Sequence, residues 1–415
     1  MAFLIRGGVP LMGEIKAQGA KNAVLPMLFA SLLCQEPITL YGAPNIGDVT
    51  VALSLLSRMG AEISYSKGGT LVLDTSRALP PTYALAEASR IRASAYLLGA
   101  TLYRFGEGAI PYPGGCSFGK RPLDYHKNAF LALGAEWEED EEGIRVRGKH
   151  LQGARFSLPY PSVGATVNFI LAALGAEGES TLYGFAREGH VMDLIAFLQH
   201  MGADIRPEGN ALYIRGTSSL SGVSCTVPPD AVETGSYLIS AAATGGEVTV
   251  HGVRYGEISP LLLCFGQMGV PFRFFGDAVT VYPAKRMRGI SVSAAPYPGF
   301  PTDLHPPLTV LLSRTAGGVI CDLVWHDRFS YVEELRKMGL CAASAKGSVH
   351  VWQSRLKGAT VTAPDLRGGA ALVTAALIAE EESRVEGEHL IARGYEDFVG
   401  KLYTLGADIR ISPEG

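Results

Sequence analysis

The most regular feature of the chain is an apolar, helix-like run that ends in Met/Leu-Gly-Ala/Val/Leu and occurs six times. Successive glycines of this tripeptide are 67 to 74 residues apart. Such even spacing indicates an internal repeat. A glycine at the end of a helix-like run also predicts a positive φ, a conformation that costs glycine nothing. The six glycines are Gly60, Gly134, Gly202, Gly269, Gly339 and Gly406.

The repeats also share an order of elements. An Ala- and Leu-rich helical run, such as residues 166–174, precedes a short β-branched strand, such as residues 247–252, and a second helix leads to the closing glycine. Alternating strands follow, as at residues 61–64 with 70–73 and at 203–205 with 211–214. Each repeat is therefore predicted to be an α/β module of two helices and about four strands.

Six modules of this size can form a solenoid, a ring or two clusters of three. A solenoid favours shorter repeats and polar caps, so the length favours two domains. The sequence F-L-I-R-G at residues 3–7 predicts a strand that completes the last module. The predicted domains are residues 21–228, and residues 1–20 plus 229–415, with the chain crossing between them twice.

Composition excludes several classes of protein. The 415 residues are 47% hydrophobic, and 36 basic against 40 acidic residues give a net charge of −4, so neither nucleic acid nor anionic lipid is an expected partner. Six cysteines without a C-x-x-C pair indicate neither a zinc site nor a disulfide framework, and a reducing cytoplasm is expected. The apolar segment at residues 23–34 is too short to span a membrane.

Charged and hydroxyl residues recur where the first helix of each module is predicted to begin. If these helices are parallel, their positive ends face one interdomain cleft and favour a phosphate ligand. Thr166 and Thr234 could instead be ordinary helix N-caps. The recurring segments are residues 19–22, 90–94, 162–166, 230–235, 300–303 and 365–367.

One loop has the composition of a reactive site. Residues 113–122 read P-G-G-C-S-F-G-K-R-P, so Cys116 lies among glycines and beside Lys120 and Arg121, which would lower the pKa of the thiol. The other five cysteines are interpreted as small buried hydrophobic residues. His126 has no third ligand at a suitable spacing, and a hydrogen-bonding role is predicted for it rather than a metal site.

The motifs and their order resemble those of the UDP-N-acetylglucosamine 1-carboxyvinyltransferase family, relatives of 5-enolpyruvylshikimate-3-phosphate synthase. These motifs are G-A-K-N-A-V-L-P, R-A-S, P-G-G-C-S-F-G-K-R-P-L-D-Y-H, S-V-G-A-T, D-x-x-E-T-G, F-P-T-D, D-L-R and A-R-G-Y-E. The resemblance implies two inside-out α/β barrel domains, each with pseudo-threefold symmetry from three βαβαββ repeats and with the active site in the cleft between them. It also implies transfer of the enolpyruvyl group of phosphoenolpyruvate to the 3'-hydroxyl of UDP-N-acetylglucosamine, in peptidoglycan precursor synthesis. The family reaction is an addition and elimination through a tetrahedral ketal, and it needs neither a metal nor an organic cofactor.

The resemblance further implies roles for individual residues. Cys116 would protonate C3 of the enol and would be the target of fosfomycin-type inhibitors, and Asp303 would receive the proton of the sugar hydroxyl. Lys21 and Arg393 complete the implied catalytic set. The implied phosphoenolpyruvate site consists of Lys21, Arg92, Arg121, Arg367 and Arg393. The implied UDP-sugar site consists of Asn22, Arg92, Arg121, Pro122, Asp124, Ser162, Val163, Gly164, Asp303 and Arg328. An N-cap role competes for Asp303.

Four places depart from the family pattern, and all four lie in the second predicted domain. They leave open a related enolpyruvyl transferase with another nucleotide or sugar acceptor, and a catalytically silent homologue used for binding. Retention of the cysteine, the carboxylate and the cations together argues against the silent homologue. The departures are Ala231, the pair His326-Asp327, the segment His305-Pro306-Pro307, and Ala392.

Overall fold

The computed structural model describes residues 1–81, 86–115 and 122–412. Its helices include one apolar helix at the start of each repeat, and several of these bury residues along almost their whole length. The helices are α1 (Lys21–Ala30), α2 (Gly47–Arg58), α3 (Tyr96–Phe105), α4 (Asp124–Ala132), α5 (Val163–Ala173), α6 (Gly189–His200), α7 (Ala231–Thr244), α8 (Tyr255–Met268), α9 (His305–Ser313), α10 (Tyr331–Lys337), α11 (Leu366–Ile378), α12 (Glu388–Ile391) and α13 (Phe398–Thr404).

The strands are short and form separate small sheets. They are β1 (Ala2–Arg6), β2 (Met12–Lys16), β3 (Ile38–Tyr41), β4 (Glu62–Tyr65), β5 (Leu71–Asp74), β6 (Glu107–Ile110), β7 (Glu136–Glu139), β8 (Ile144–Arg147), β9 (Arg155–Ser157), β10 (Glu179–Tyr183), β11 (Ile205–Glu208), β12 (Ala211–Arg215), β13 (Ser224–Thr226), β14 (Glu247–His251), β15 (Phe272–Phe275), β16 (Ala278–Val281), β17 (Ser291–Ala294), β18 (Gly318–Asp322), β19 (Ala342–Ala345), β20 (Ser348–Val351), β21 (Thr360–Thr362), β22 (Glu382–Glu386) and β23 (Asp408–Ser412). Within the described chain, five sheets have four strands and the sheet of β6, β7 and β8 has three.

The described residues divide into two compact units, each with its own apolar core. One unit contains residues 1–18 and 229–412. Its helices α7, α9 and α11 contact one another in pairs, and its sheets run in the orders β15-β16-β14-β2, β17-β18-β20-β19 and β21-β22-β1-β23. Strands such as β16 and β20 bury alternate residues, as expected of sheets with one face on a helical core.

The other unit contains residues 19–81, 86–115 and 122–228. Within this unit, α3 contacts both α1 and α5. Its sheets run in the orders β13-β3-β5-β4, β6-β8-β7 and β11-β12-β10-β9. The arrangement in both units, with apolar helices inside and small sheets outside, is the inside-out α/β barrel that the family resemblance implies.

Two strand pairings account for the two crossings of the chain. Strand β2 directly precedes α1 in sequence but pairs in parallel with β14, in the unit of residues 229–412. Strand β13 directly precedes α7 but pairs in parallel with β3 in the other unit. Strand β1 lies between β22 and β23, antiparallel to both, so it completes the last module as the sequence predicts.

The predicted helix ends are confirmed by the backbone. All six repeat glycines have positive φ, between 77° for Gly269 and 104° for Gly202. The predicted strand bounds are less accurate: β11 begins at Ile205, where the predicted strand 203–205 ends, and its register with β12 starts at the pair Ile205 and Ile214. No helix in the described part of the chain is long and apolar enough to cross a membrane.

Helices α3 and α5 approach closely at Gly99. The Gly99 N–H donates to Oδ1 of Asn168 at 3.0 Å, and Nδ2 of Asn168 donates to the Ala95 carbonyl at 3.0 Å. A Cβ atom at residue 99 would lie 2.8 Å from both the backbone oxygen and Oδ1 of Asn168. Only glycine allows this contact without movement of one helix.

Gly99→Ala should therefore destabilise its unit by roughly 1–3 kcal/mol, the usual cost of overpacking a core. Urea unfolding followed by circular dichroism measures the change. The matched control is Gly266→Ala in α8, where an added Cβ meets no atom within 4 Å. That variant should be neutral or slightly more stable, since alanine favours a helix. Equal destabilisation by both variants would contradict the packing argument.

A buried carboxylate fixes the segment that follows β2. Glu233 of α7 accepts the Gln18 N–H at 2.7 Å and pairs with Lys401 of α13. The Gln18 side chain donates to the Gly394 carbonyl and accepts the Glu396 N–H. Burial raises the pKa of Glu233 to about 7, although Lys401 opposes that shift.

Glu233 should make stability fall as the pH rises. Its folded pKa of about 7 exceeds the ordinary value of 4.5, so the folded protein holds the proton more tightly, and this stabilisation disappears between pH 4.5 and 7. Between pH 5 and pH 8, we expect the free energy of unfolding of the wild type to fall by on the order of 3 kcal/mol more than that of Glu233→Gln. Urea titrations of both proteins at pH 5 and pH 8 measure the difference, and parallel pH profiles would refute it.

Candidate active site

The described structure brings three of the predicted site residues into direct contact. Nη1 of Arg328 donates to Oδ1 of Asp303 at 2.7 Å, and Nε of Arg367 donates to Oδ2 at 3.1 Å. The Asp303 side chain is 24% exposed, whereas both arginine side chains are almost fully buried. Two buried guanidinium groups therefore bind the carboxylate, while part of it remains accessible to solvent.

Arg367 is the largest of the fully buried side chains in the described structure. Its guanidinium lies 5.1 Å from the ring centre of Tyr395. Burial opposes its charge, but Tyr395 and Asp303 outweigh burial and raise the pKa of Arg367. Its Nη1 is buried, with no hydrogen-bond acceptor among the described residues. A buried guanidinium with a spare donor is suited to an anionic ligand.

The N-terminal ends of α7, α9 and α11 converge around Asp303 and Arg367. Asp365 caps α11, accepting the N–H groups of Arg367 and Gly368, and Asp230 caps α7. The Asp230 carboxylate acts electrostatically on Arg367, in the first turn of α11. A cation at the positive end of a helix opposes the helix dipole, so Arg367 is costly there unless carboxylates or a bound anion compensate for it.

In the other unit, Lys21 is likewise a cation at the positive end of a helix. It is the first residue of α1, and its Nζ lies 2.7 Å from Oδ2 of Asp48 in the first turn of α2. Both side chains are largely buried. Asn22 follows Lys21 and is half-buried.

Arg92 links two segments of backbone in the same unit. It lies in a 3-10 helix that leads into α3, and its Nη1 and Nη2 donate to the carbonyls of Pro113 and Pro122 at 3.4 Å. Gly115 has φ of 113°, and a Cβ there would lie 3.2 Å from Cβ of Arg92. The arginine therefore holds the described residues on either side of residues 116–121.

The predicted S-V-G turn lies against a histidine. Ser162 caps α5 by accepting the Ala165 N–H, and a Cβ on Gly164 would lie 2.8 Å from Nε2 of His126. Nδ1 of His126 lies 2.7 Å from Nδ2 of Asn168, which confirms the predicted hydrogen-bonding role. A larger residue at position 164 would therefore have to displace the imidazole. Val163, the first residue of α5, is half-buried.

Three alternative N-cap interpretations are wrong. Thr166 lies inside α5, where its hydroxyl accepts the Ala186 N–H, and the cap is Ser162. Thr234 lies inside α7, whose cap is Asp230. Asp303 lies inside the 3-10 turn Thr302–Leu304, whose N-cap is Pro301, and the N-cap of α9 is Leu304, so Asp303 is at neither cap position. Its carboxylate accepts from two guanidinium groups.

The remaining predicted site residues range from half-buried to exposed, where the structure describes them. Cys116 and Arg121 lie outside the described residues. Asp124 is the exposed first residue of α4, and Pro122 is exposed just before it. Arg393 is half-buried and follows α12.

The residues that depart from the family pattern differ in their burial. Ala231 is the half-buried first residue of α7, Ala392 and the pair His326-Asp327 are exposed, and Pro306 and Pro307 lie buried in the first turn of α9. Proline is tolerated at the start of a helix because no N–H is needed there.

Sequence reasoning missed several polar residues that hold this site. Asp48 pairs with Lys21, Tyr395 covers Arg367, and Asp322 accepts the Thr302 hydroxyl at 2.6 Å. Only Tyr395 had a signal, since it belongs to the A-R-G-Y-E motif; a lone Asp after a strand is indistinguishable from a turn residue. Among the described residues, no group of three or more His, Cys, Asp or Glu could hold a metal ion.

Comparison with known proteins shows that the chain is similar to an enzyme family over nearly its whole length. The family model for EPSP synthase (3-phosphoshikimate 1-carboxyvinyltransferase) matches residues 5–402. UDP-N-acetylglucosamine 1-carboxyvinyltransferase of Halothermothrix orenii is 40% identical, over 98% of this chain and 99% of the relative. UDP-N-acetylglucosamine 1-carboxyvinyltransferase 3 of Caldanaerobacter subterraneus subsp. tengcongensis is also 40% identical, over 98% of each chain.

A solved structure supports the fold. The enolpyruvyl transferase NikO from Streptomyces tendae superposes with a TM-score of 0.89 at 24% identity, over 99% of this chain and 98% of that chain. At this identity the likeness concerns the fold alone. With the family model matched over residues 5–402 and full-length relatives at 40% identity, the chain belongs to the EPSP synthase (3-phosphoshikimate 1-carboxyvinyltransferase) family.

Proposed function

We propose that the protein transfers the enolpyruvyl group of phosphoenolpyruvate to the 3'-hydroxyl of UDP-N-acetylglucosamine and releases phosphate. This is a step of peptidoglycan precursor synthesis. The observation that carries the proposal is the identity of 40% over almost the full length of relatives named for this activity. The Asp303–Arg328–Arg367 cluster supports it, because it combines a partly exposed carboxylate with a buried guanidinium that has a spare donor.

Phosphoenolpyruvate carries a carboxylate and a phosphate on three carbons, so its site needs several cations. Arginine suits both groups because its planar fork donates to two oxygens at once. Lys21 and Arg367 are cations at helix N-termini, where the dipole disfavours a bare cation but favours a bound anion. The proposed phosphoenolpyruvate residues are Lys21, Arg92, Arg121, Arg367 and Arg393.

The proposed chemistry is an addition followed by an elimination. In the addition, the 3'-oxygen bonds to C2 of phosphoenolpyruvate, its proton passes to Asp303, and Cys116 delivers a proton to C3. In the elimination, the thiolate takes a proton back from C3, the C2–O bond to phosphate breaks, and the departing phosphate receives the proton held by Asp303. Lys21 and Arg393 stabilise the phosphate as it leaves, and both catalytic groups return to their starting states.

The acceptor is proposed to lie against polar and backbone groups of helix starts. Ser162, Val163 and Gly164 form a turn at the N-terminal end of α5, which suits a diphosphate. Asp303 and Arg328 would contact the sugar. The remaining proposed UDP-sugar residues are Asn22, Arg92, Arg121, Pro122 and Asp124.

A cytoplasmic location is part of the proposal. The five cysteines that the structure describes are all free thiols, which fits a reducing compartment. Burial raises the pKa of Cys34, Cys225 and Cys264, so these three thiols are poor nucleophiles at neutral pH. The proposed reaction uses no metal or organic cofactor.

The first test is phosphate release from phosphoenolpyruvate with UDP-N-acetylglucosamine. We expect turnover by the wild type and a loss of about 10²- to 10⁴-fold in Cys116→Ala, the usual contribution of general acid catalysis. The matched control is Cys341→Ala, since Cys341 is an exposed thiol and should leave the rate unchanged.

Other acceptors in the same assay test the specificity. Turnover with a different nucleotide or sugar alone would replace the proposed acceptor. Absence of turnover with every acceptor would favour a binding role without catalysis.

A phosphonate epoxide of the fosfomycin type tests the environment of the thiol. Cations beside Cys116 should increase its thiolate fraction and attract the phosphonate, so the epoxide should alkylate this residue alone. Mass spectrometry of the digested protein locates the adduct. Cys341 is the internal control, because an exposed thiol without such an environment should stay unmodified. An adduct on Cys341, or none on Cys116, would refute the proposed environment.

A further inference from the structure

A chain of buried polar contacts lies behind the Asp303 carboxylate, in residues that the proposed reaction does not use. It begins at His305, the first residue of α9. Nδ1 of His305 lies 3.1 Å from the Tyr331 hydroxyl, and Nε2 lies 3.1 Å from Oδ2 of Asp322. All three side chains are fully buried.

Asp322, at the end of β18, forms hydrogen bonds both to the segment that carries Asp303 and to the loop that leads to Arg328. Its Oδ1 accepts the N–H groups of residues 324 and 325 at 2.8 and 2.9 Å, at the start of the loop that leads to Arg328. Its Oδ2 accepts the hydroxyl of Thr302, the residue before Asp303. One buried side chain thus fixes both segments.

The contacts continue from Thr302 to Asp303. The Thr302 hydroxyl oxygen accepts a hydrogen bond from Nη1 of Arg328 at 3.1 Å, and the same Nη1 donates to Oδ1 of Asp303. Hydrogen bonds therefore run without a gap from Asp322 to the exposed carboxylate. A change in the position of Asp322 would move Thr302 and Arg328 together.

The protonation of His305 follows from its surroundings. Burial lowers the pKa of His305, although the contact with Asp322 opposes the shift. The imidazole lies between the Asp322 carboxylate and the Tyr331 hydroxyl, and that hydroxyl also lies 2.8 Å from Oγ1 of Thr309. Burial raises the pKa of Tyr331. The Phe329 ring packs against the imidazole, 5.1 Å between ring centres.

A buried polar pair of this kind is a poor device for stability alone. Desolvation offsets most of the attraction, and apolar side chains of similar volume often serve a core as well. We infer that His305 is a positioning residue for the reaction. It holds Asp322 in the orientation that sets Thr302, Arg328 and the Asp303 carboxylate for the acceptor hydroxyl. This inference rests on the proposed function.

His305→Leu tests the inference, because it keeps an apolar side chain in the core and removes both polar contacts. We expect kcat to fall by on the order of 10- to 100-fold, the effect of a small misplacement of a reacting group. KM for phosphoenolpyruvate should stay within about twofold, since its cations are untouched. His305→Gln keeps an N–H that can face Asp322, and it should restore kcat to within roughly a factor of three of the wild type.

Ser240→Ala is the matched control. It removes another buried hydrogen bond of the same unit, 2.9 Å from Ser240 Oγ to Thr374 Oγ1, and should lower stability without changing kcat. Asp303→Asn sets the scale for complete loss of the carboxylate. If His305→Leu keeps the wild-type kcat, or loses activity only in proportion to its unfolded fraction, the inference is overturned.

A crystal structure of His305→Leu gives a readout that does not need turnover. The contact of 2.7 Å between Arg328 and Asp303 should lengthen, together with the contact between Thr302 and Asp322. Unchanged distances would overturn the inference even if the enzyme assay fails. Absence of phosphate release by the wild type would instead count against the proposed function, so the two failures are separable.

Discussion

The positive charge of Arg367 is buried at the positive end of a helix, and much of the surrounding structure compensates for it. The helix dipole and the loss of water both oppose the charge. Asp303 accepts from its Nε, Asp365 caps the helix that carries it, and Tyr395 covers its face. The compensation leaves Nη1 without an acceptor in the described structure, so one donor of the guanidinium is not used by the cluster itself.

The repeated fold explains how such a site can form. Every module begins with an apolar helix whose first residues lie at an equivalent position, so each repeat can place a different chemical group at a helix N-terminus. Within one unit these positions hold the caps Asp230 and Asp365 and the cation Arg367. In the other unit, the corresponding positions hold Lys21 and Ser162. The helices form the scaffold, and their first turns carry charged and hydroxyl side chains.

The sequence predicted the features that depend on local rules. The six repeat glycines have positive φ because a helix end needs that conformation, and the F-L-I-R-G strand completes the last sheet. Strand bounds were less accurate, since pairing with β12 rather than β propensity decides where β11 begins.

The site could be predicted only in part. Asp303 and Arg367 belong to recognisable motifs and Arg328 follows a segment that departs from the family pattern, but their mutual contact depends on tertiary packing. Asp322 and His305 carry no local signal, because their partners are as far away as residue 302 and residue 331. The N-cap interpretation of Thr166 and Thr234 was wrong because Ser162 and Asp230, four residues earlier, satisfy the helix ends instead.

The position of β1 has a consequence for synthesis of the protein. Residues 2–6 are synthesised before both of their pairing partners, which lie at residues 382–386 and 408–412. The strand must therefore wait, unpaired, while the residues between them are translated. The unit of residues 19–228 meets no such delay, so it can fold first. Closure of the sheet that joins residues 2–6 to residues 408–412 is then expected to be the slow event of folding, because the paired strands are far apart in sequence.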